Sequence, residues 1–138
     1  MKWIKPKTVD TQPLPQIEIK TLDASPNLAE ILEGFDLASV LTMLAGDEKT
    51  LIRLLYGFKE KFKTEDVKIQ TLLASNQLND AQRCLHTLKG SAGNLGVTPL
   101  HEASSILDTQ LKNGRYEQKT LDAWQDTFTN VMALISKL

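Results

Sequence analysis

His86 and Lys89 stand one helical turn apart in the run NDAQRCLHTLKGSAGNLG, residues 79–96, with Gly90 and Gly93 just beyond them. An imidazole has an ordinary pKa of about 6.5, so near pH 7 it is mostly neutral and keeps a nucleophilic nitrogen. An ammonium one turn away would steady an anion formed on that nitrogen. Wound at about 100° per residue, the run places Ala81, Leu85, Leu88, Ala92 and Leu95 in one apolar sector, with Cys84 at its edge. His86 falls well away from the centre of that sector and is predicted to face solvent. Lys89, Gly90 and Gly93 follow it at i+3, i+4 and i+7 and share its side of the helix. Each glycine inside a helix costs about 1 kcal/mol relative to Ala. Two of them beside an exposed histidine imply that something bulky approaches that side. A loop starting near Lys89 would also house the glycines, but the apolar rhythm through Ala92 and Leu95 favours a continuous helix.

These parts suit a histidine that accepts a phosphoryl group delivered by another protein. Other chemistries fit less well. A phosphate-cradling loop carries its lysine after the glycines and follows a strand, whereas Lys89 precedes Gly90, Gly93 and Gly96 and no strand-like run comes before. A histidine metal site needs a second ligand. The only other histidine, His101, belongs to a different predicted helix without a Glu-x-x-His pattern and reads as a surface residue, so no metal site is expected. No serine has the surroundings of an acylating nucleophile. The Trp124 and Phe128 stripe reads as core rather than as a binding platform.

Composition narrows the partners. The net charge of -1 creates no field that selects nucleic acid or an anionic membrane. A single cysteine, Cys84, excludes an intramolecular disulfide and a cysteine-built zinc site. No apolar run is long enough to span a bilayer, and the N-terminus MKWIKPKTVD has no apolar signal core. The chain is therefore expected in the cytoplasm, unless it was cut from a longer, membrane-anchored protein.

The elements that would hold the histidine are helical throughout. Four of the five prolines lie in the first 26 residues, so residues 1–27 read as a linker, with Ile17 and Ile19 as a short extended segment. Residues 28–138 form the predicted domain. Leu28, Ile31 and Leu32 open it as a short turn. Asp36 caps a helix carrying Leu37, Val40, Leu41 and Leu44 that ends at Gly46. Asp47 caps the next, with Leu51, Leu54, Leu55, Phe58 and Phe62. Thr64, followed by Glu65 and Asp66, starts a helix with Val67, Ile69, Leu72 and Leu73 that fades at Asn76. Asn79 and Gln82 resemble a capping box at the head of the His86 helix. Thr98 with Pro99 starts a helix with Leu100, Ala103, Ile106, Leu107 and Leu111. Leu121, Trp124, Phe128, Val131, Ile135 and Leu138 mark the last. Short connections make neighbours antiparallel. The expectation is an all-α fold, an up-and-down antiparallel four-helix bundle, with an additional short N-terminal helix at 36–45 capping one end.

The run from His86 to Gly96, HTLKGSAGNLG, resembles the signature of histidine-containing phosphotransfer (HPt) domains, a histidine followed at fixed offsets by leucine, lysine, glycine and small residues. The likeness extends from about Asp36 to Leu138. It implies that His86 takes a phosphoryl group from the aspartyl phosphate of a response-regulator receiver domain and passes it to another receiver, with no ATP site and no kinase activity of its own. It implies that Lys89 steadies the phosphohistidine and that Gly90 keeps the docking surface open; Gly93, on the same side of the helix, is expected from its spacing to leave room for the receiver as well. Mg²⁺ would come from the receiver. Arg83, Lys89, Lys112 and Arg115 are expected to give the docking face a basic cast that meets an acidic receiver site. Family members often carry Glu or Gln on the following helix near the histidine. Asp108 stands at the matching position, one methylene shorter than Glu, and takes no assigned role. Lys2-Trp3-Ile4-Lys5-Pro6 resembles the tail of a receiver's last helix, which suggests the C-terminal module of a hybrid sensor kinase. A monomer with no nucleic-acid or direct membrane contact is expected. The rival reading is a helical docking or dimerisation module that never carries phosphate.

Overall fold

In the computed structural model, which describes residues 26–138, seven helices follow one another. They are α1 (Pro26–Ile31), α2 (Leu37–Met43), α3 (Glu48–Phe62), α4 (Glu65–Ala74), α5 (Leu78–Asn94), α6 (Thr98–Lys112) and α7 (Gln118–Ser136). No strand occurs among the described residues. No helix there is long and apolar enough to cross a membrane. The predicted linker lies outside the described residues except for its last two positions, which open α1. The receiver-like tail at Lys2–Pro6 and the extended segment at Ile17 and Ile19 lie wholly outside them.

Local chemistry explains where most helices start. Oδ1 of Asp36 accepts from the Ser39 N–H at 3.4 Å to open α2, and Oδ1 of Asp47 accepts from the Thr50 N–H at 3.2 Å to open α3. The side-chain and backbone hydrogen bonds from Thr50 hold the Asp47 carboxyl below its usual range. Three predicted caps are different in the structure. Thr64 precedes α4 without a side-chain capping bond, so the favourable start there comes from Glu65 and Asp66 at the positive end of the helix. Gln77, not Asn79, occupies the cap position of α5, and Gln82 has turned to another partner described below. Thr98 is already the first residue of α6, with Pro99 at N2, and its hydroxyl donates back to the Gly96 carbonyl.

The core runs along the inner faces of α3 to α7. Leu85 and Leu88 of α5 are fully buried with Leu51 and Leu55 of α3, Ile69 of α4, Leu100 and Leu107 of α6, and Trp124 and Ile135 of α7. The Trp124 and Phe128 rings lie 5.4 Å apart, in the core as expected. The Trp124 indole N–H donates to the Ser104 hydroxyl at 2.9 Å, which satisfies both buried groups. Leu54, Val67 and Ile106, predicted on apolar stripes, are exposed instead. Val67 is two residues from buried Ile69 and Ile106 one residue from buried Leu107, so each is turned off its helix's inward line.

The packing order fixes what surrounds α5. α5 lies most extensively against α6, and then α6 against α7, α4 against α5 and α7 against α3. At the far end of α5, Gly96 takes φ of +73°, and its carbonyl accepts from the Asp36 N–H at 2.7 Å. A Cβ on Gly96 would lie 2.5 Å from the Asp36 carbonyl oxygen, so only glycine lets the start of α2 sit against the end of α5.

Candidate functional site

α5 is one uninterrupted helix through Gly90 and Gly93, so the histidine, the lysine and both glycines share a rigid support. Its buried residues, Ala81, Leu85, Leu88 and Ala92, recur at helical spacing and pin one side of it to the core. His86 is on the other side with 60% of its side chain exposed. The prediction of an outward-facing imidazole holds because its position is set by a face that is completely buried.

The imidazole is not isolated. Asp108, on α6, is 1% exposed and sits at its base. Its Oδ2 lies 3.8 Å from His86 Nδ1, 3.0 Å from Lys89 Nζ and 3.3 Å from Lys112 Nζ. Its Oδ1 accepts from Gln82 Nε2 at 2.6 Å. The 3.8 Å separation exceeds a hydrogen bond, so the imidazole feels the carboxylate chiefly as a charge. Burial pushes the Asp108 carboxyl up, but hydrogen bonds from Gln82, Lys89 and Lys112 outweigh it and hold the group below the usual carboxylate range. Asp108 is therefore ionised near neutral pH and gathers two ammonium groups beside the imidazole.

Asp108 has no role in the sequence expectation and Gln82 only that of half a cap, whereas the structure pairs them beneath His86. The spacing carries a signal for Asp108. Asp108 is one residue after Leu107 and three before Leu111, both on the predicted apolar stripe, and in the structure it is buried with them and Ser104. Gln82 is one turn before His86 on α5. With Arg83, Thr87, His86 and Lys112 it lines a shallow hollow beside the imidazole.

The other predicted residues divide. Arg83 borders that hollow, is 76% exposed, and pairs with Asp80 at 3.2 Å. Lys112 joins the cluster directly through Asp108. Arg115 lies past the end of α6 and is exposed. A Cβ at Gly90 would meet nothing within 4 Å, so that position does open space. Gly93 differs, because a Cβ there would lie 2.9 Å from His101 Nδ1. The space its missing side chain leaves is filled by α6 of the same chain. His101, expected at the surface, is half-buried, and its Nδ1 is 3.0 Å from the Lys89 carbonyl oxygen. Cys84 is half-buried beside the core, and burial pushes its thiol up, which makes it a poor nucleophile.

Among the described residues, no group of three or more His, Cys, Asp or Glu is placed to hold a metal ion. Asp108, beneath His86, has its oxygens committed to Gln82 and two ammonium groups, a donor set unsuited to a divalent cation. The arrangement instead suits an anion on the outer side of the imidazole, with Lys89 and Lys112 within reach.

The family model described as Hpt domain matches residues 53–136, more than half of the chain and all of the His86 cluster. No curated protein and no solved structure gives a significant match.

Proposed function

The chain belongs to the Hpt domain family, and on that premise we propose that His86 is the phosphoryl-carrying residue of a relay between receiver domains. The observation that carries this reading is the pairing of an exposed imidazole with a buried carboxylate that holds two ammonium groups beside it. A receiver's aspartyl phosphate would enter from solvent over His86. The ring presents Nδ1 to Asp108, which favours the tautomer protonated at Nδ1 and leaves the lone pair on Nε2.

In this mechanism Nε2 attacks the phosphorus in line, and the N–P bond forms as the bond from phosphorus to the aspartyl oxygen breaks. That electron pair stays on the receiver as a free carboxylate, and Nδ1 keeps its proton. Lys89 and Lys112 then turn part of their charge from Asp108 to the phosphoryl oxygens. Transfer to a second receiver is the reverse sequence. Mg²⁺, in this proposal, belongs to the receiver and neutralises charge on the phosphate it holds. The chain itself contributes position and cationic charge, with no ATP-dependent kinase activity.

The scaffold we infer is an antiparallel up-and-down bundle, with α3 and α4 together forming one column and α5, α6 and α7 the other three. Short connections and the packing of α4 on α5, α5 on α6, α6 on α7 and α7 on α3 support it. Receiver docking is proposed over the His86 side of α5, with Gly90 giving clearance and Arg83 and Lys112 meeting an acidic partner. A docking bundle that never carries phosphate explains the amphipathic helices equally well, but not the buried, doubly cation-paired Asp108 under an exposed imidazole.

The test is incubation of the chain with a panel of phosphorylated receivers, followed by mapping of the labelled residue by mass spectrometry. Label on His86 is expected. Absence of label with every receiver, or label elsewhere, would overturn the proposal.

A further inference from the structure

Lys89 is gripped by α6 at both of its ends. Its ammonium donates to Oδ2 of Asp108 at 3.0 Å, and its backbone carbonyl lies 3.0 Å from Nδ1 of His101. His101 and Asp108 are seven residues apart on α6, two turns along one face. A carbonyl only accepts, so His101 Nδ1 must carry a proton and donate. In a regular helix the same carbonyl already accepts from the Gly93 N–H, so the His101 bond is an additional one, made from outside the helix. It is possible only because residue 93 is glycine. A Cβ there would lie 2.9 Å from Nδ1 and 3.2 Å from Cε1 of the ring.

We infer that His101 is a positioning residue for Lys89. Lodged in the bay left by Gly93, it fixes the turn of α5 from which the lysine reaches the phosphoryl group on His86. Asp108 holds the tip of that lysine in the resting state, and His101 holds its root throughout. When the ammonium leaves Asp108 for the phosphoryl oxygens, the backbone from which it swings stays in register with His86. Gly93 thus serves the site by admitting His101, and Gly90 alone serves the incoming partner. This inference rests on the phosphorelay reading and goes beyond it in assigning His101 and Gly93.

The test uses the whole chain loaded with potassium phosphoramidate, a small phosphoryl donor to imidazole, and follows phosphohistidine lifetime. Label must first map to His86 in the unaltered chain; if it does not, the relay reading fails and not this inference alone. Given that label, His101→Leu is expected to shorten the lifetime on the order of fivefold, the scale of one weak charge interaction. Lys89→Ala is expected to match it. The double variant should be no worse than Lys89→Ala, because His101 acts through that lysine. His101→Asn, whose amide N–H can stand where Nδ1–H stood, should restore most of the lifetime. Gly93→Ala should reproduce His101→Leu, which keeps the test available if the leucine variant does not fold. A wild-type lifetime in a folded His101→Leu or Gly93→Ala chain would overturn the inference. So would multiplicative effects in the double variant, the result expected of a residue that only supports the fold.

Discussion

Nδ1 of the exposed His86 stands 3.8 Å from Oδ2 of Asp108, a carboxylate that water scarcely reaches. The relationship joins two helices and two environments. α5 holds the imidazole out to solvent, and α6 buries the charge beneath it. Lys89 and Lys112 complete the arrangement by sharing that one oxygen. The cluster stores cationic charge where a phosphoryl group would need it, without leaving a buried carboxylate unpaired.

Asp108→Asn should lower the rate of phosphoryl transfer to His86 roughly tenfold, since the variant loses the charge that gathers the lysines and orients the ring. The same substitution has a signature in stability. The folded-state pKa of Asp108 is depressed, so its contribution is present above the unfolded carboxylate value of about 3.9 and is lost as pH falls through the folded value. Urea unfolding of both chains should show a stability gap that is widest near neutral pH and narrows in acid. A gap that stays constant from neutral pH down into strong acid would show that Asp108 is not a paired carboxylate in the folded chain.

Lys89 and Lys112 should not contribute equally. Lys89 is 21% exposed and Lys112 is 55% exposed, so solvent screens the second more. Alanine at position 89 should shorten phosphohistidine lifetime more than alanine at position 112. Decay of labelled protein, measured for both variants side by side, decides this; the reverse order would remove Lys89 from its central place.

Gly90→Leu should separate docking from folding. Nothing lies within 4 Å of a Cβ at this position, and leucine favours a helix over glycine by roughly 1 kcal/mol. Thermal unfolding should therefore show no loss of stability. Affinity for a receiver, measured by calorimetry, should fall at least about tenfold because the side chain stands where the partner approaches. Unchanged affinity would mean that docking avoids this side of α5.

Much of the site was legible in the sequence because it follows from one helix. Once Leu85, Leu88 and Ala92 are inward, His86 must be outward, and Lys89 and Gly90 follow by spacing. The relations between helices were not legible. His101 looked like a surface residue because nothing in its own helix shows that α6 crosses α5 level with Gly93. Gln82 looked like a cap because its partner Asp108 is 26 positions away. Asp108 could have been placed inward from Leu107 and Leu111, yet spacing alone does not show that two lysines and a glutamine meet it. The exposure of Val67 and Ile106 reflects the same limit, since an apolar side chain near a stripe is not thereby on it.

In the proposed relay His86, and no other residue, carries the phosphoryl group. The direct measurement is acid-labile radiolabel transferred from a phosphorylated receiver to the unaltered chain and to His86→Gln, with helical content of both checked by circular dichroism. Stoichiometric, acid-labile label is expected on the unaltered chain and none on a fully folded His86→Gln. Equal labelling of the two chains would contradict it.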